Sequence, residues 1–309
     1  MGFLSEIFGY ILNFFYELTS NYGIAIIIFS VLLRLILIPI TIKQQTTMKK
    51  SAKMQEKIKE IQTKYKNNPE KLNQETIELY KTEKMSPFSG CFSAILQLLI
   101  ILSVFWLVSQ PLTYMKKVDK QVIADYKTKI TEENEGQKGA YPEIQIISKI
   151  ESEYQEINKE LENENVENRE ELEAKKESLE KMRINMEFLG LDLSKVPTQN
   201  LGDFRVYVIP VLYVITSFVS IKITTMAQKK ASKKKDVIVQ NENGSDEMLD
   251  SMQQMNNSML YMTPIMSISI AVIAPLGLAL YWLVSNILMI AERLIINKFI
   301  GAKEEEEDE

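Results

Sequence analysis

The chain has 309 residues, a net charge of -5, no histidine and one cysteine, Cys91. That composition excludes intrachain disulfides, zinc sites built on cysteine and histidine, and histidine-based nucleophilic triads. It contains no G-x-x-x-x-G-K-[ST] or G-x-G-x-x-G motif, so neither nucleotide-driven work nor any other cofactor chemistry is expected, and no metal site is expected either.

Long apolar runs alternate with charged stretches. Residues 1–21 carry Phe3, Leu4, Ile7, Phe8, Ile11, Leu12, Phe15 and Leu18 at helical spacing, with Glu6, Gly9, Asn13, Tyr16, Glu17 and Ser20 on the other face. The pattern predicts an amphipathic helix lying in the membrane interface; a frayed start of the first span is the alternative. No basic region precedes it, so a cleavable signal is not expected. Cys91 lies too far downstream for a lipoprotein anchor.

A helix needs about 20 apolar residues to cross a bilayer. Residues 22–42 are the first predicted span, interrupted only by Arg34. Residues 43–86 read as a cytoplasmic helical hairpin. Met54, Ile58, Ile61 and Tyr65 mark one arm, Leu72, Thr76, Leu79 and Tyr80 the other, and Asn67-Asn68-Pro69 the turn. Residues 87–109 are the second span.

Residues 110–205 form a long acidic segment. In it Ile147, Ile150, Tyr154, Ile157 and Leu161 make a short coiled-coil seam, and Leu172, Leu179, Met182 and Met186 resume a helical stripe. An extracellular antiparallel hairpin fits this, with a solvated acidic linker as the alternative.

Residues 206–226 are the third span and 227–258 a cytoplasmic loop. The apolar run 259–299 is too long for one span. Ala274-Pro275-Leu276-Gly277 breaks it into a fourth, 259–273, and a fifth, 278–296, before an acidic cytoplasmic tail, 297–309. The fold class is thus an all-α polytopic membrane protein with five spans around a polar groove.

Lysine placement sets the orientation. Lys43, Lys49, Lys50, Lys53, Lys57 and Lys59 follow the first span, and Lys222, Lys229, Lys230, Lys233, Lys234 and Lys235 follow the third. The N-terminal flank has Glu6 and Glu17 and no lysine. The N-terminus is expected outside, and both lysine-rich loops and the C-terminus in the cytoplasm.

Arg34 is the most informative residue. It lies about 15 Å from either end of its span, where a charge costs about 3 kcal/mol on insertion scales. No Asp or Glu falls in the middle of a span, and Glu292 reads as lying near the end of the last one. An unpaired Arg34 implies a water-filled cavity; a tilted helix that lets the side chain snorkel is the alternative.

Polar stripes offer walls for such a cavity: Ser86, Ser89, Ser93 and Gln97; Tyr213, Thr216, Ser217 and Ser220; Trp282, Ser285 and Asn286. Serine and threonine also join helices to one another, so each stripe alone says little. A fixed positive charge in a cavity suits an acidic peptide segment. No covalent step is needed, and the chain is not expected to be an enzyme. A second stripe, Met248, Met252, Met255, Met259, Met262 and Met266, suits varied apolar partners or, equally, gap-filling.

Three stretches carry a family resemblance. Tyr22-Gly23-Ile24-Ala25-Ile26-Ile27 leads to Leu33-Arg34-Leu35-Ile36-Leu37-Ile38-Pro39; Pro87-Phe88-Ser89-Gly90-Cys91 is followed by Gln97; and Leu280-Tyr281-Trp282-Leu283-Val284-Ser285-Asn286 closes the set. In this order they resemble the core spans of the YidC family of membrane protein insertases.

The resemblance implies a groove open to the cytoplasm and lipid but closed outside, with Arg34, Gln97, Thr216, Ser217, Ser220, Trp282, Ser285 and Asn286 as its substrate-binding residues. It also implies nascent membrane proteins as clients and a plasma-membrane location. Work alone or beside the Sec translocon, and contacts with a ribosome or targeting machinery through the cytoplasmic hairpin, belong to the same expectation; DNA does not. The acidic tail Lys303-Glu304-Glu305-Glu306-Glu307-Asp308-Glu309 should repel rRNA. The runner-up is a transporter or channel subunit, disfavoured by the lack of an intramembrane carboxylate or an inverted repeat. A coiled-coil scaffold would leave Arg34 unexplained.

Overall fold

The computed structural model describes residues 2–66, 68–83, 89–134, 139–162, 168–232 and 271–307. Most of the predicted fourth span, the methionine stripe and the greater part of the loop 227–258 lie outside these residues, as do Ser86 and the end of the acidic tail. The chain divides into two compact units, one of Met1–Leu33, Ile100–Thr216 and Ser267–Leu288, the other of Arg34–Leu99, Ser217–Met266 and Met289–Glu309.

Among the described residues three helices are long and apolar enough to cross a membrane, over Tyr22–Gln44, Phe204–Ile223 and Leu276–Ile296. A further helix, α4 (Ser89–Ser109), is apolar over Leu98–Ser109. The chain is an all-α membrane protein, and among the described residues the sheet is one hairpin of two two-residue strands.

In the first unit, α1 (Gly2–Thr19) buries a narrow stripe of Ser5, Phe8, Gly9 and Leu12. Gly9 therefore belongs to the packing face and not to the polar one. The Ser5 hydroxyl donates to the Ser103 carbonyl at 3.0 Å, and Phe8 meets Phe29 edge-on at 5.7 Å. A short helix, α5 (Pro111–Tyr114), runs beside Gly9, where a Cβ would come within 1.9 Å of the Tyr114 carbonyl oxygen.

The segment between α4 and the third apolar helix is a folded insertion. It contains α6 (Lys120–Glu133), α7 (Pro142–Leu161) and α8 (Arg169–Met182). Ile144, Ile147, Ile150, Tyr154 and Ile157 of α7 are buried at the period of a helix face, with Ile123 and Leu179 against them. Burial of this size holds three short helices that would be marginal alone. Arg183 closes the end of α8 with two parallel bonds to Glu151, 2.5 and 2.8 Å, and lies 4.3 Å from the Tyr154 ring centre. That donor pair holds the Glu151 carboxyl below its ordinary range.

The insertion fastens the ends of the membrane helices within this unit. Asn185 accepts from the Tyr22 N–H at 3.0 Å, donates its own N–H to the Tyr16 hydroxyl at 2.8 Å, and donates its side-chain amide to the Ser20 carbonyl at 3.1 Å. The N–H groups of Leu276 and Gly277 donate to the carbonyls of Lys195 and Leu193, both at 2.9 Å. Orphan N–H groups at two helix starts are thereby satisfied.

The last helix begins at Leu276, two residues earlier than the sequence reading placed the span, because the Pro275 carbonyl already accepts from Leu278 and Ala279. The extended hairpin pairs β1 (Glu187–Phe188) with β2 (Leu191–Asp192) around Leu189 and Gly190, both at positive φ, 51° and 76°.

Glu143, at the start of α7, is buried and accepts from both the N–H and the hydroxyl of Thr113, at 3.0 and 2.5 Å. Burial raises its carboxyl above the ordinary 4.5 despite those donors. The folded state keeps this proton longer than the unfolded chain does. Its stabilising contribution is therefore complete below the unfolded value and is lost as pH rises through the folded one. Thermal melts of Glu143→Gln between about pH 4 and about pH 8 should be flatter with pH than those of the parent. Parallel curves would mean that the carboxyl stays ionised.

In the second unit, the apolar part of α2 (Tyr22–Lys64) runs on into the first arm of the hairpin without a break, so that arm is not a separate element. The helix has 43 residues with Pro39 inside it. α3 (Pro69–Thr82) returns, capped by the Asn68 side chain, which accepts from the Lys71 N–H at 3.1 Å. Lys57 pairs with Glu83, the Tyr65 hydroxyl donates to Glu75 at 3.2 Å, and Met54 is buried.

Candidate functional site

Helix propensity and apolar content bring Arg34 into the apolar part of α2, about 18 Å from its start at 1.5 Å per residue. The same count places Glu292 about 24 Å along α10 (Leu276–Glu307), inside its apolar stretch Leu276–Ile296. The two meet: Arg34 Nε lies 3.2 Å from Glu292 Oε2, with side-chain exposures of 19% and 6%.

This corrects the reading of Arg34 as unpaired. Glu292 is a carboxylate inside the apolar stretch Leu276–Ile296, four residues before its end. It also removes one argument against a transporter, the absence of such a carboxylate. Arg293, the next residue, is half-buried and within electrostatic reach of both Arg34 and Glu292. Among the described residues this places two cations beside one anion.

The contact is close but poorly aligned. Neither Glu292 oxygen accepts a hydrogen bond of good geometry among the described residues. A buried pair without supporting donors gains little over its desolvation cost, and an incoming carboxylate that brings better geometry can compete for the arginine.

The other predicted residues fall as follows. Ser217 and Ser220 are buried in the same unit as Arg34. Gln97 lies on α4, with its side chain outside the described set. In the first unit, the Asn286 amide donates to the Thr216 hydroxyl at 3.1 Å, and that hydroxyl donates to the Tyr213 carbonyl at 3.0 Å. Trp282 lies 6.4 Å from the Tyr213 ring, tilted by 35°. Thr216, Trp282 and Asn286 thus form one polar seam between α9 (Val208–Ser232) and α10, and Ser285 is half-buried on the same helix.

Sequence reasoning missed Glu292 as a site residue. The available signal was its position inside an apolar run that continues to Ile296. Among the described residues no group of three or more metal-binding side chains occurs.

A family model described as 60Kd inner membrane protein matches residues 14–304. Among curated proteins, the chain is 39% identical over 105 residues to a protein named membrane protein insertase YidC from Caldanaerobacter subterraneus subsp. tengcongensis, a stretch that covers 34% of this chain and 51% of that one. Proteins of the same name from Endomicrobium trichonymphae, 41% over 105 residues, and Buchnera aphidicola subsp. Baizongia pistaciae, 40% over 108, match 34% and 35% of this chain and 20% of their own length. The matched stretch is thus about half of the first relative's length and a fifth of the other two. A family match over nearly the whole chain, with its apolar helices, settles the affiliation: the chain belongs to the 60Kd inner membrane protein family.

Proposed function

We propose that this chain is a membrane protein insertase that accepts nascent membrane proteins in a polar intramembrane groove and releases their spans sideways into lipid. The observation that carries the reading is the buried site of two cations, Arg34 and Arg293, beside Glu292 within apolar helices. The insertase name of its relatives supports it.

In this mechanism an acidic client segment displaces Glu292 as the partner of Arg34. The exchange keeps Arg34 paired throughout, and Arg293 stays within electrostatic reach of the displaced Glu292, which offsets part of the cost of leaving that carboxylate. Gln97, Thr216, Ser217, Ser220, Trp282, Ser285 and Asn286 offer polar contacts along the way. The apolar client span then partitions into lipid, with no covalent chemistry and no cofactor.

The lysine pattern supports an N-out, C-in orientation with the α2–α3 hairpin in the cytoplasm. There its basic surface suits clients, a ribosome or targeting factors, and the chain works alone or beside the Sec translocon.

Purified protein in liposomes should speed protease-protected insertion of a single-span client and conduct no ions. Rates equal to those of empty liposomes would sink the insertase reading, and ion flux would favour a channel. In a Cys91→Ser background, Glu153→Cys in intact cells should react with an impermeant thiol reagent and Lys57→Cys should resist it. The reverse pattern would invert the orientation.

A further inference from the structure

The insertion ends in a patch that water alone does not explain. Leu189, Leu201 and Phe204 are 86%, 73% and 79% exposed, large apolar side chains on three neighbouring turns. β2 packs beside the short 3-10 turn Phe204–Tyr207, so the hairpin tip and Phe204 belong to one surface.

Leu189 is the more telling of the three. It occupies a left-handed backbone position, φ 51°, followed by Gly190 at 76°. Such a two-residue turn favours asparagine, aspartate or glycine, which take that conformation at little cost and are easily hydrated. A bulky aliphatic side chain held there in strain, and projecting from the fold, marks a position kept for contact rather than for the turn.

The chain also shows what lies next to the patch. Phe188, beside Leu189, packs on Gly23, the second residue of the apolar stretch Tyr22–Gln44. Phe204 is the first residue of the apolar stretch Phe204–Ile223. The patch is thus continuous with two helices at the points where they enter the bilayer. Asp203, the carboxylate that would interrupt it, carries its own counter-ions: Lys195 at 3.1 Å and Arg205 at 3.0 Å.

We propose that Leu189, Leu201 and Phe204 form a wedge seated in the lipid leaflet on the insertion's side of the membrane, so that the insertion rests in the interface instead of standing free in water. Apolar side chains at this depth exchange water for acyl chains, and the neighbouring Arg205 lies at headgroup level.

The test uses the full chain with Cys91→Ser in phosphatidylcholine–phosphatidylglycerol vesicles. Single cysteines replace Leu189, Leu201 or, as an exposed control on α8, Lys175. Spin labels at each site are read by power saturation with oxygen and with a water-soluble nickel chelate. Labels at 189 and 201 should collide with oxygen several-fold more, and with nickel several-fold less, than the label at 175. Nickel access equal to that at 175 overturns the wedge. Shielding from both reagents overturns it too, since that is the signature of a protein partner or a second copy on the patch. Leu189→Asn serves as a fold control: it relieves the turn and should melt no lower than the parent in detergent. The outcome does not depend on whether the chain inserts clients.

Discussion

Arg34→Ala should lower thermal stability in detergent and remove insertion of clients with acidic tails, and adding Glu292→Gln should recover the first without the second. The single change strands a carboxylate that is 6% exposed with its 3.2 Å partner gone. Breaking a buried pair in this way costs about 3–5 kcal/mol. Glu292→Gln removes the stranded charge, so most of that loss returns in the double variant.

The client deficit should persist, because no cation remains at position 34. Arg34→Lys should keep much of the activity, as a point charge survives without the planar fork. Glu292→Gln alone should favour acidic over neutral tails more strongly than the parent does, since the Glu292 carboxylate no longer competes for Arg34. The measurements are melting curves and insertion of paired clients that differ only in tail charge. If the double variant regains acidic-tail insertion along with stability, Arg34 acts through the fold and the exchange mechanism is wrong.

Gly9→Ala should undock the first helix. The added methyl would sit 1.9 Å from the Tyr114 carbonyl oxygen and 2.6 Å from its carbon, and backbone cannot swing aside as a side-chain tip can. Relief requires α1 to lift, which stretches the Ser5–Ser103 hydrogen bond and parts Phe8 from Phe29. Overpacking of this kind costs about 1–3 kcal/mol. Gly2→Ala is the matched control, with nothing within 4 Å of its new methyl. Limited proteolysis should release α1 from the Gly9 variant first and leave the control like the parent. Equal protection in both would show that α1 shifts at no cost.

What the sequence made legible follows from what each signal measures. The helix face of α7 could be read because Ile147, Ile150, Tyr154 and Ile157 recur at a helical period, and all four are buried. α6 could not, since Ile123 is its single buried residue and one residue makes no stripe. The extended hairpin escaped because Leu189-Gly190 lacks the Asn-Gly or Asp-Gly signal.

Hydropathy located where α2 leaves the apolar layer, near Lys43, but leaving lipid does not end a helix, and the hydrogen-bond ladder continues to Lys64. Arg34 announced itself by its cost. Its partner did not, because ion pairs between distant helices have no period, and a carboxylate near the end of a span gives no sign of which helix it will meet. The Thr216–Asn286 bond lay in the same blind spot: each residue was a candidate, but their meeting was a matter of tertiary packing.

The carbonyls of Leu193 and Lys195 that cap Leu276 and Gly277 impose an order of assembly. The insertion precedes the last helix in the chain, and the Leu193 carbonyl is held in place where the Leu193 N–H donates to Met186 beside the hairpin. Until the insertion has folded, the leading N–H groups of the final helix enter an apolar layer unsatisfied, at about 1–3 kcal/mol each. The last helix therefore has a template to find rather than a space to fill, and its first turn depends on the folded insertion. Such a chain carries its own checkpoint: an insertion that fails to fold leaves the start of the final helix without its seat.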